Sequence, residues 1–198
     1  ILFFSEFNVN TIAGVFATKY LKEKGYNPIY PDGYTFEKLK GYTSIVIAFA
    51  KFEKDSEHSP EDWLKWNEIL VDGYRIVGVH IPDSEKEPKR AKNFWRHVEF
   101  HYGKYHNEEK ILYIGDMNVF KEGTHGKNKL NRILETAKDG WIVTGHTNNN
   151  EADYTYKYKT RIDYAILTSN IPKILEMHNC QEFYLKGLSD HSLIQIKF

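Results

Sequence analysis

The segment 67–81, NEILVDGYRIVGVHI, places the strongest constraint on the fold. Two strand patterns flank Asp72-Gly73, and an Asp-Gly pair between such patterns is a strong short-range signal for a tight hairpin turn. The segment is therefore expected to form an antiparallel pair of strands rather than a strand–helix–strand unit.

Strand and helix patterns alternate along the rest of the chain, without repeats or a linker. The run YTSIVIAFA at 42–50 is β-branched and apolar throughout, which suits a strand covered on both faces. For the first helix, Asn10 is the expected N-cap and Gly25 the expected C′ residue. Apolar residues at helical spacing predict three helices, at 11–24, 88–102 and 127–138.

Further strands are expected at 1–6, at 111–119, within 154–167 as two strands joined by a tight connection, and at 192–198. Strands outnumber helices, and several of them form hairpins. The pattern therefore favours an α/β (α+β) protein in which two largely antiparallel sheets pack together and are flanked by helices.

The composition is that of an ordinary globular domain. The chain has 198 residues, of which 41% are hydrophobic and 27% charged, and we expect one domain over residues 1–198 and a monomer. Lys plus Arg and Asp plus Glu both number 27, so the net charge is zero. The field of the whole molecule will not drive it onto a polyanion, and any contact with nucleic acid has to be local.

A single cysteine, Cys180, excludes an internal disulfide and fits a reducing compartment. We therefore expect a cytoplasmic location, with a disulfide-free secreted protein as the alternative. No apolar run approaches the length needed to span a bilayer, so no membrane is expected as a partner. The first residues, ILFFSEF, lack the pattern of a signal peptide and resemble a strand already in progress, so we expect residues to be missing upstream.

Polar side chains stand where the apolar runs end. Asp116 and Asn118 close the run YIGDMNV, and residues two apart on a strand share a face, so both are expected to point to one place. Other strand ends carry Glu6, His80, Asp163 and the pair Asp190-His191. A sheet protein gathers such ends along one edge, so we expect a common cleft there.

Taken singly, most of these residues have an ordinary structural explanation. Glu6 matches a solvated acid at a strand end, and His80 matches a hydrogen-bonded core histidine. A buried Asp163 needs a partner to offset its desolvation, and Arg161, two residues earlier on the same face, could be that partner. The functional interpretation therefore rests on the set and not on any one member.

Five segments resemble, in their order and spacing, the motifs of the endonuclease/exonuclease/phosphatase superfamily: ILFFSEF, GVHIP, YIGDMNV, RIDYAIL and LSDHSLI. The resemblance spans the chain from Ile1 to Phe198. It implies the DNase I-like fold, a four-layer α/β/β/α sandwich. It also implies a divalent-metal-dependent hydrolase that acts on phosphate esters.

One feature of the family has no counterpart here. Its members begin with a strand whose Asn helps to build the metal and phosphate site, ahead of the glutamate strand. FNVN at 7–10 is only superficially similar to that motif, because choosing it leaves no glutamate strand before 42–50. We therefore align Glu6 with the metal-binding glutamate and expect the first strand to be absent from this chain.

The resemblance implies a role for each of the other site residues. Asp116 orients or deprotonates the attacking water, and Asn118 holds a phosphoryl oxygen through its amide. His191 lies against the phosphate, while Asp163 fixes its tautomer and favours its charged form. His80 is a second histidine on the rim, which binds phosphate or assists the leaving group.

Mg²⁺ is the expected cofactor, with Mn²⁺ as an alternative, because in-line cleavage of a phosphate ester requires a cation at the phosphoryl oxygens. Mg²⁺ prefers oxygen ligands and keeps several waters, which suits Glu6 and Asp190. His97 and His101 have the i, i+4 spacing of a Zn²⁺ or Ni²⁺ site. They lie beside an apolar stripe and outside the zincin pattern, so we interpret them as a solvated helix flank.

Basic loops suggest nucleic acid as the substrate. The expected contacts are Lys127, Lys129 and Arg161, in segments 121–132 and 154–161, the second of which interleaves basic residues with tyrosines. The alternative is that these charged loops only keep the protein soluble.

Three functions remain open at this stage. The first is a nuclease that cleaves DNA or RNA, as an endonuclease or an exonuclease, with one metal ion or two. The second is a phosphatase or phosphodiesterase acting on a lipid, an inositol phosphate or a nucleotide. The inositol-phosphatase branch has Cys-Asp-Arg-Ile where this chain has YKTRIDY, which disfavours that substrate. The third is a non-catalytic binding protein, disfavoured because it has no need for the full set of site residues. If the protein is a nuclease, the acidic segment 53–62 is expected to lie away from the substrate.

Overall fold

The computed structural model describes residues 1–51, 63–146, 154–174 and 176–197. The acidic segment 53–62 lies outside the described residues, so its expected position stays a prediction. The chain separates into two compact units, Ile1–His80 and Ile81–Phe198.

The described residues of the first unit form five strands and two helices. Its elements are β1 (Leu2–Phe7), α1 (Ile12–Glu23), β2 (Asn27–Ile29), α2 (Phe36–Leu39), β3 (Ile45–Ala50), a 3₁₀ turn (Trp63–Lys65), β4 (Trp66–Val71) and β5 (Tyr74–His80). Strand β3 lies between β1 and β2 and pairs antiparallel with both. All of its residues are buried, which confirms the prediction of a strand covered on both faces.

The two faces of β3 contact different layers. Ile45, Ile47 and Phe49 lie in one apolar cluster, which is joined by Leu39 of α2 and by Leu21 of α1. Ala48 and Ala50, on the other face, pack with Ile69 of β4. The first unit is therefore a layer of helices, a three-stranded sheet and a hairpin, as strand alternation requires.

The hairpin is confirmed. Strands β4 and β5 pair antiparallel from Trp66 opposite Val79 to Val71 opposite Tyr74. Asp72 and Gly73 both have positive φ, 50° and 76°, as the type I′ turn between two strands requires.

The caps of α1 were predicted only in part. The N-cap is Thr11 and not Asn10, because the Thr11 hydroxyl accepts a hydrogen bond from the Gly14 amide at 3.0 Å. The Asn10 side chain instead donates to the carbonyl of Tyr42 at 3.1 Å. Gly25 is confirmed at C′, with φ of 81° and its amide bonded to the Lys22 carbonyl.

Within residues 81–146, 154–174 and 176–197, the second unit forms five more strands and four helices. Its elements are α3 (Pro88–Tyr105), β6 (Lys110–Asp116), α4 (His125–Leu134), β7 (Lys138–Asp139), α5 (Gly140–Val143), β8 (Asp163–Leu167), β9 (Glu176–Cys180), α6 (Glu182–Leu185) and β10 (Leu193–Lys197). Strand β8 lies between β6 and β7 and pairs antiparallel with both, while β9 pairs with β10.

Helices α3 and α4 supply most of the apolar cover of this sheet. Both were predicted, although α4 begins two residues earlier and ends four residues earlier than the pattern indicated. Side chains of α3, α4, β6 and β8 line one small apolar space, among them Trp95, Leu130, Tyr113 and Ile166. This packing holds the ends of β6 and β8 in fixed positions.

The predicted pair of strands within 154–167 is only partly formed. Tyr156 and Thr160 make a single antiparallel bridge around a tight turn, and β8 follows. The turn was expected, but the strand before it is reduced to one bridge residue. No helix in the described ranges is long and apolar enough to cross a membrane.

Candidate active site

The ends of β6 and β8 bring two predicted carboxylates together. Asp116 is the last residue of β6, and the antiparallel register sets it directly opposite Asp163, the first residue of β8. Both residues are buried, with 4% and 8% of their surface exposed. Directly opposed residues share a face of the sheet, and two carboxylates there repel each other unless a positive charge lies nearby.

Asn118 holds Asp116 in place. Its backbone amide donates to Asp116 Oδ1 at 2.8 Å, and its side-chain Nδ2 donates to Asp116 Oδ2 at 3.1 Å and to the carbonyl of Ile81 at 2.8 Å. Asn118 has a left-handed φ of 49°, which brings its side chain back onto the carboxylate. Both hydrogens of its amide are donated within the protein, so donation to a phosphoryl oxygen requires the exchange of one of these bonds.

His191 supplies the positive charge beside these carboxylates. Its Nδ1 lies 2.9 Å from Asp163 Oδ2, in a half-buried position just before β10. The Asp163 amide donates to the hydroxyl of Thr155 at 3.1 Å, which fixes the start of β8. Because Nδ1 of His191 is bound to Asp163, the other ring nitrogen, Nε2, lies on the side of the ring away from Asp163.

The surroundings of His191 favour its protonated form. Burial by itself would lower the pKa of His191. The hydrogen bond and charge of Asp163, with the charges of Asp116 and Asp190, outweigh that effect and raise the pKa from 6.5 to about 9. Near neutral pH, a protonated imidazolium is therefore bound to Asp163.

Asp190 is paired with a lysine. Its Oδ2 lies 3.1 Å from Lys157 Nζ, and both side chains are more than one third exposed. Burial opposes the charge on Asp190, but the hydrogen bond from Lys157 prevails and lowers the pKa of the carboxyl. Asp190 is therefore an ionised oxygen donor at neutral pH.

The first unit holds the other two predicted residues, Glu6 and His80. Glu6 has a left-handed φ of 55° and lies where the β1 register shifts between Phe4 and Phe7. This irregularity leaves 62% of the Glu6 side chain exposed. Its Oε1 is 3.9 Å from Nε2 of His80, which is the last residue of β5 and buried.

Lys65 is a residue that the sequence reasoning missed. Its Nζ lies 3.2 Å from His80 Nδ1 and 3.4 Å from the Ser44 hydroxyl, in a buried position. An ammonium only donates, so Nδ1 of His80 accepts and Nε2 carries the hydrogen that faces Glu6. The hairpin register contained the signal, because extending it by one pair beyond Trp66 opposite Val79 sets Lys65 across from His80.

The predicted substrate contacts of the second unit all have carboxylate partners. Arg161 binds Asp139 through two nitrogens, at 2.9 and 2.6 Å, and is therefore not the partner of Asp163. The Nζ atom of Lys129 lies 2.5 Å from Glu99. Lys127 Nζ is 3.5 Å from Glu122 Oε1 and 5.8 Å from the ring centre of Tyr164.

The expectation that His97 and His101 form a solvated helix flank is wrong for His101. His101 is buried in α3, and its Nδ1 lies 2.6 Å from the Tyr113 hydroxyl. Over the described parts of the chain, no group of three or more His, Cys, Asp or Glu side chains could hold a metal ion by itself.

The whole chain is similar to solved structures of phosphate-ester enzymes. A 3′ phosphatase, NExo, from Neisseria, bound to product DNA hairpin, has a TM-score of 0.77 and 14% identity, over 100% of this chain and 88% of that one. An AP endonuclease from Archaeoglobus fulgidus has a TM-score of 0.73 and 16% identity over the same shares. A truncated TDP2 from Caenorhabditis elegans has a TM-score of 0.67 and 14% identity, over 98% of this chain and 82% of that one.

At these identities the similarity shows the fold. The chain has the DNase I-like fold of mixed antiparallel sheets flanked by helices, and that prediction is confirmed. No family model matches the sequence, and no curated protein matches it either.

Proposed function

We propose that this chain is a divalent-metal-dependent phosphodiester hydrolase that cleaves nucleic acid by in-line attack of an activated water. One observation carries the proposal, which is the Asp163–His191 pair at 2.9 Å beside the opposed carboxylate of Asp116. Titratable groups whose pKa is strongly shifted by burial and a specific charged partner cluster at functional sites. The similar fold of a phosphatase bound to a DNA hairpin and of an AP endonuclease supports nucleic acid as the substrate.

His191 acts as the fixed positive charge of the reaction. Asp163 keeps the ring oriented through Nδ1, so Nε2 is the nitrogen that meets a phosphoryl oxygen. Because the imidazolium is already in position, its charge stabilises the extra negative charge of the transition state without reorganisation. Asp116, held by Asn118 on both oxygens, orients the attacking water or takes its proton.

The donors available for a metal ion fit Mg²⁺ or Mn²⁺ in kind. Glu6 offers an exposed carboxylate at a strained backbone position, and Asp190 is an ionised carboxylate that Lys157 now holds. Mg²⁺ in phosphate-ester enzymes uses one or two carboxylates together with waters and the substrate phosphate, so no larger cluster is needed. When bound, the ion neutralises the phosphoryl oxygens.

The test is nicking of supercoiled plasmid DNA with Mg²⁺ and, separately, with EDTA. His191→Ala is expected to lower the metal-dependent rate by about 10²–10³-fold, the usual effect of losing one transition-state contact. His178→Ala, on strand β9 and exposed, is the matched control and should keep the full rate. Circular dichroism of both variants checks that each is folded.

A second function is phosphomonoester hydrolysis, which the likeness to a 3′ phosphatase favours. Hydrolysis of a generic phosphomonoester under the same conditions separates the phosphatase function from the nuclease function. Intact plasmid with phosphomonoester turnover that needs His191 would replace the nuclease assignment. Equal rates for wild type and His191→Ala on both substrates would remove His191 from the chemistry.

A further inference from the structure

The turn between Tyr156 and Thr160 exposes an aromatic ring beside the candidate site. Thr160 bridges back to Tyr156, so residues 157–159 form the turn, in which Lys159 has a left-handed φ of 57°. The Tyr158 residue at its tip is 72% exposed. Ring surface that stays in water contributes little to the free energy of folding, so stability does not explain why an aromatic residue occupies position 158.

Aromatic contacts connect this ring with the catalytic histidine. Tyr156 pairs with His191 in a second isolated bridge, and the ring centres are 4.8 Å apart. The rings of Tyr156 and Tyr158 meet edge to face, with centres 5.2 Å apart and planes at 81°. Because the Tyr158 residue is 72% exposed, its ring keeps surface open to solvent on which another flat group can stack.

A positive charge lies next to the same rings. Lys157 Nζ is 5.3 Å from the ring centre of Tyr158 and 5.6 Å from that of Tyr156. An aromatic surface and an ammonium side by side match the two parts of a nucleotide, its flat base and its anionic phosphate.

We propose that Tyr158 is a stacking site for an unpaired nucleobase of single-stranded nucleic acid, on the nucleotide next to the phosphate that His191 contacts. The proposal rests on the proposed function and names its substrate form. A base in an intact duplex is already stacked on both neighbours, so it presents no free face. An unpaired base of any kind gains a stacking partner at Tyr158, because every base has an aromatic face.

The test measures binding of a fluorescein-labelled ten-nucleotide deoxyadenylate strand in EDTA, so that nothing is cleaved. A strand of equal length with abasic sites carries the same charge without bases. Tyr158→Leu should weaken binding of the adenine strand by about 5- to 100-fold, the usual effect of losing one stacked base. Binding of the abasic strand should not change, and Tyr158→Phe should bind both strands as the wild type does.

Phe100→Leu is the matched control, because Phe100 is a similarly exposed aromatic residue, at 70%, on α3. It should bind both strands as the wild type does. An equal loss for adenine and abasic strands in Tyr158→Leu would overturn the proposal, and so would wild-type binding of the adenine strand by that variant. The same Tyr158 dependence with a blunt duplex would overturn the assignment to an unpaired base.

Hydrolysis of the small diester bis(p-nitrophenyl) phosphate with Mg²⁺ separates this proposal from the proposed function. The wild type should hydrolyse this diester if the proposed function holds, and the strand-binding assay in EDTA does not depend on hydrolysis. No hydrolysis by the wild type, together with a base-dependent loss in Tyr158→Leu, would refute the hydrolase and leave the stacking site standing. Hydrolysis by the wild type, with no effect of Tyr158→Leu on binding of the adenine strand, would refute the stacking site and leave the hydrolase standing.

Discussion

At the scale of single residues, the structure explains partnerships that the sequence left open. A carboxylate in the position of Asp163 needed a partner, and the sequence offered Arg161 on the same face or the distant His191. The partner is His191, while Arg161 binds Asp139. Side-chain types near strand ends could be predicted, but the choice between partners depends on loops that bring together residues 28 positions apart.

Missed residues have a common physical reason. Lys65 and Thr155 hold His80 and Asp163 by hydrogen bonds. A lysine or threonine is usually exposed, so neither residue type suggested a buried role. Only the hairpin register, applied beyond its last regular pair, could have placed Lys65 opposite His80.

The Asp163–His191 pair should make stability depend on pH. The folded protein raises the pKa of His191 from 6.5 to about 9, so folding favours the protonated ring. Below pH 6.5 the ring is protonated in both the folded and unfolded states, and the full stabilisation is present. As the pH rises from 6.5 through 9, the folded state loses that proton and the stabilisation disappears.

Asp163→Asn removes the negative charge that holds this proton. In EDTA, the wild type should exceed Asp163→Asn in free energy of unfolding by the largest amount near pH 6, and the difference should shrink up to pH 9. Urea unfolding at a series of pH values measures it. Glu176→Gln breaks an exposed carboxylate–histidine pair with His178 at 3.5 Å and should show little such trend. A difference that is constant with pH would contradict the assignment of the proton to this pair.

At the scale of elements, predictions succeeded where a local signal sufficed. The Asp72-Gly73 turn, the fully buried β3 and the two long helices of the second unit follow from turn chemistry and periodicity over short windows. The N-cap of α1 moved by one residue, from Asn10 to Thr11, since both residue types can cap and only the chain geometry chooses. The strand predicted before the 157–159 turn is reduced to the single bridged residue Tyr156. Its alternating tyrosines match a strand pattern, but that pattern alone does not supply a neighbouring strand to pair with.

Packing of α3 on α4 depends on a glycine. A Cβ on Gly126 would lie 2.7 Å from Trp95 Nε1 and 2.7 Å from Val119 Cγ1, closer than real contacts allow. Gly126→Ala should therefore lower the free energy of unfolding by about 1–3 kcal/mol, the usual effect of overpacking a core. Urea unfolding measures the change.

Gly103→Ala is its control within α3. A Cβ there meets nothing within 4 Å, so alanine should raise the free energy of unfolding by about 0.5–1 kcal/mol through its better helix propensity. Equal stabilisation by both substitutions would mean that α4 does not approach Trp95 as closely as described.

At the scale of the whole molecule, the fold was predictable and the substrate only in part. The DNase I-like fold followed from the order of five short motifs, although each is weak alone. Substrate preference depends on surface charge, and here Lys plus Arg and Asp plus Glu cancel. Several lysines of the predicted basic loops are already paired with carboxylates, as Lys129 is with Glu99. Sequence counts could not show these pairs.

This charge balance predicts a weak salt dependence of nucleic-acid binding. With only two to four lysines or arginines at phosphates, the logarithm of the binding constant for the adenine strand should fall with the logarithm of salt concentration at a slope of about −1.4 to −2.8, since each contact on a single strand contributes about −0.7. Lys127→Gln should reduce the magnitude of that slope by about 0.7 if Lys127 contacts a phosphate. Lys104→Gln removes an equal charge from α3 and should leave the slope unchanged. A wild-type slope steeper than about −5 would require more phosphate contacts than these cations can supply, and the local-contact prediction would then be wrong.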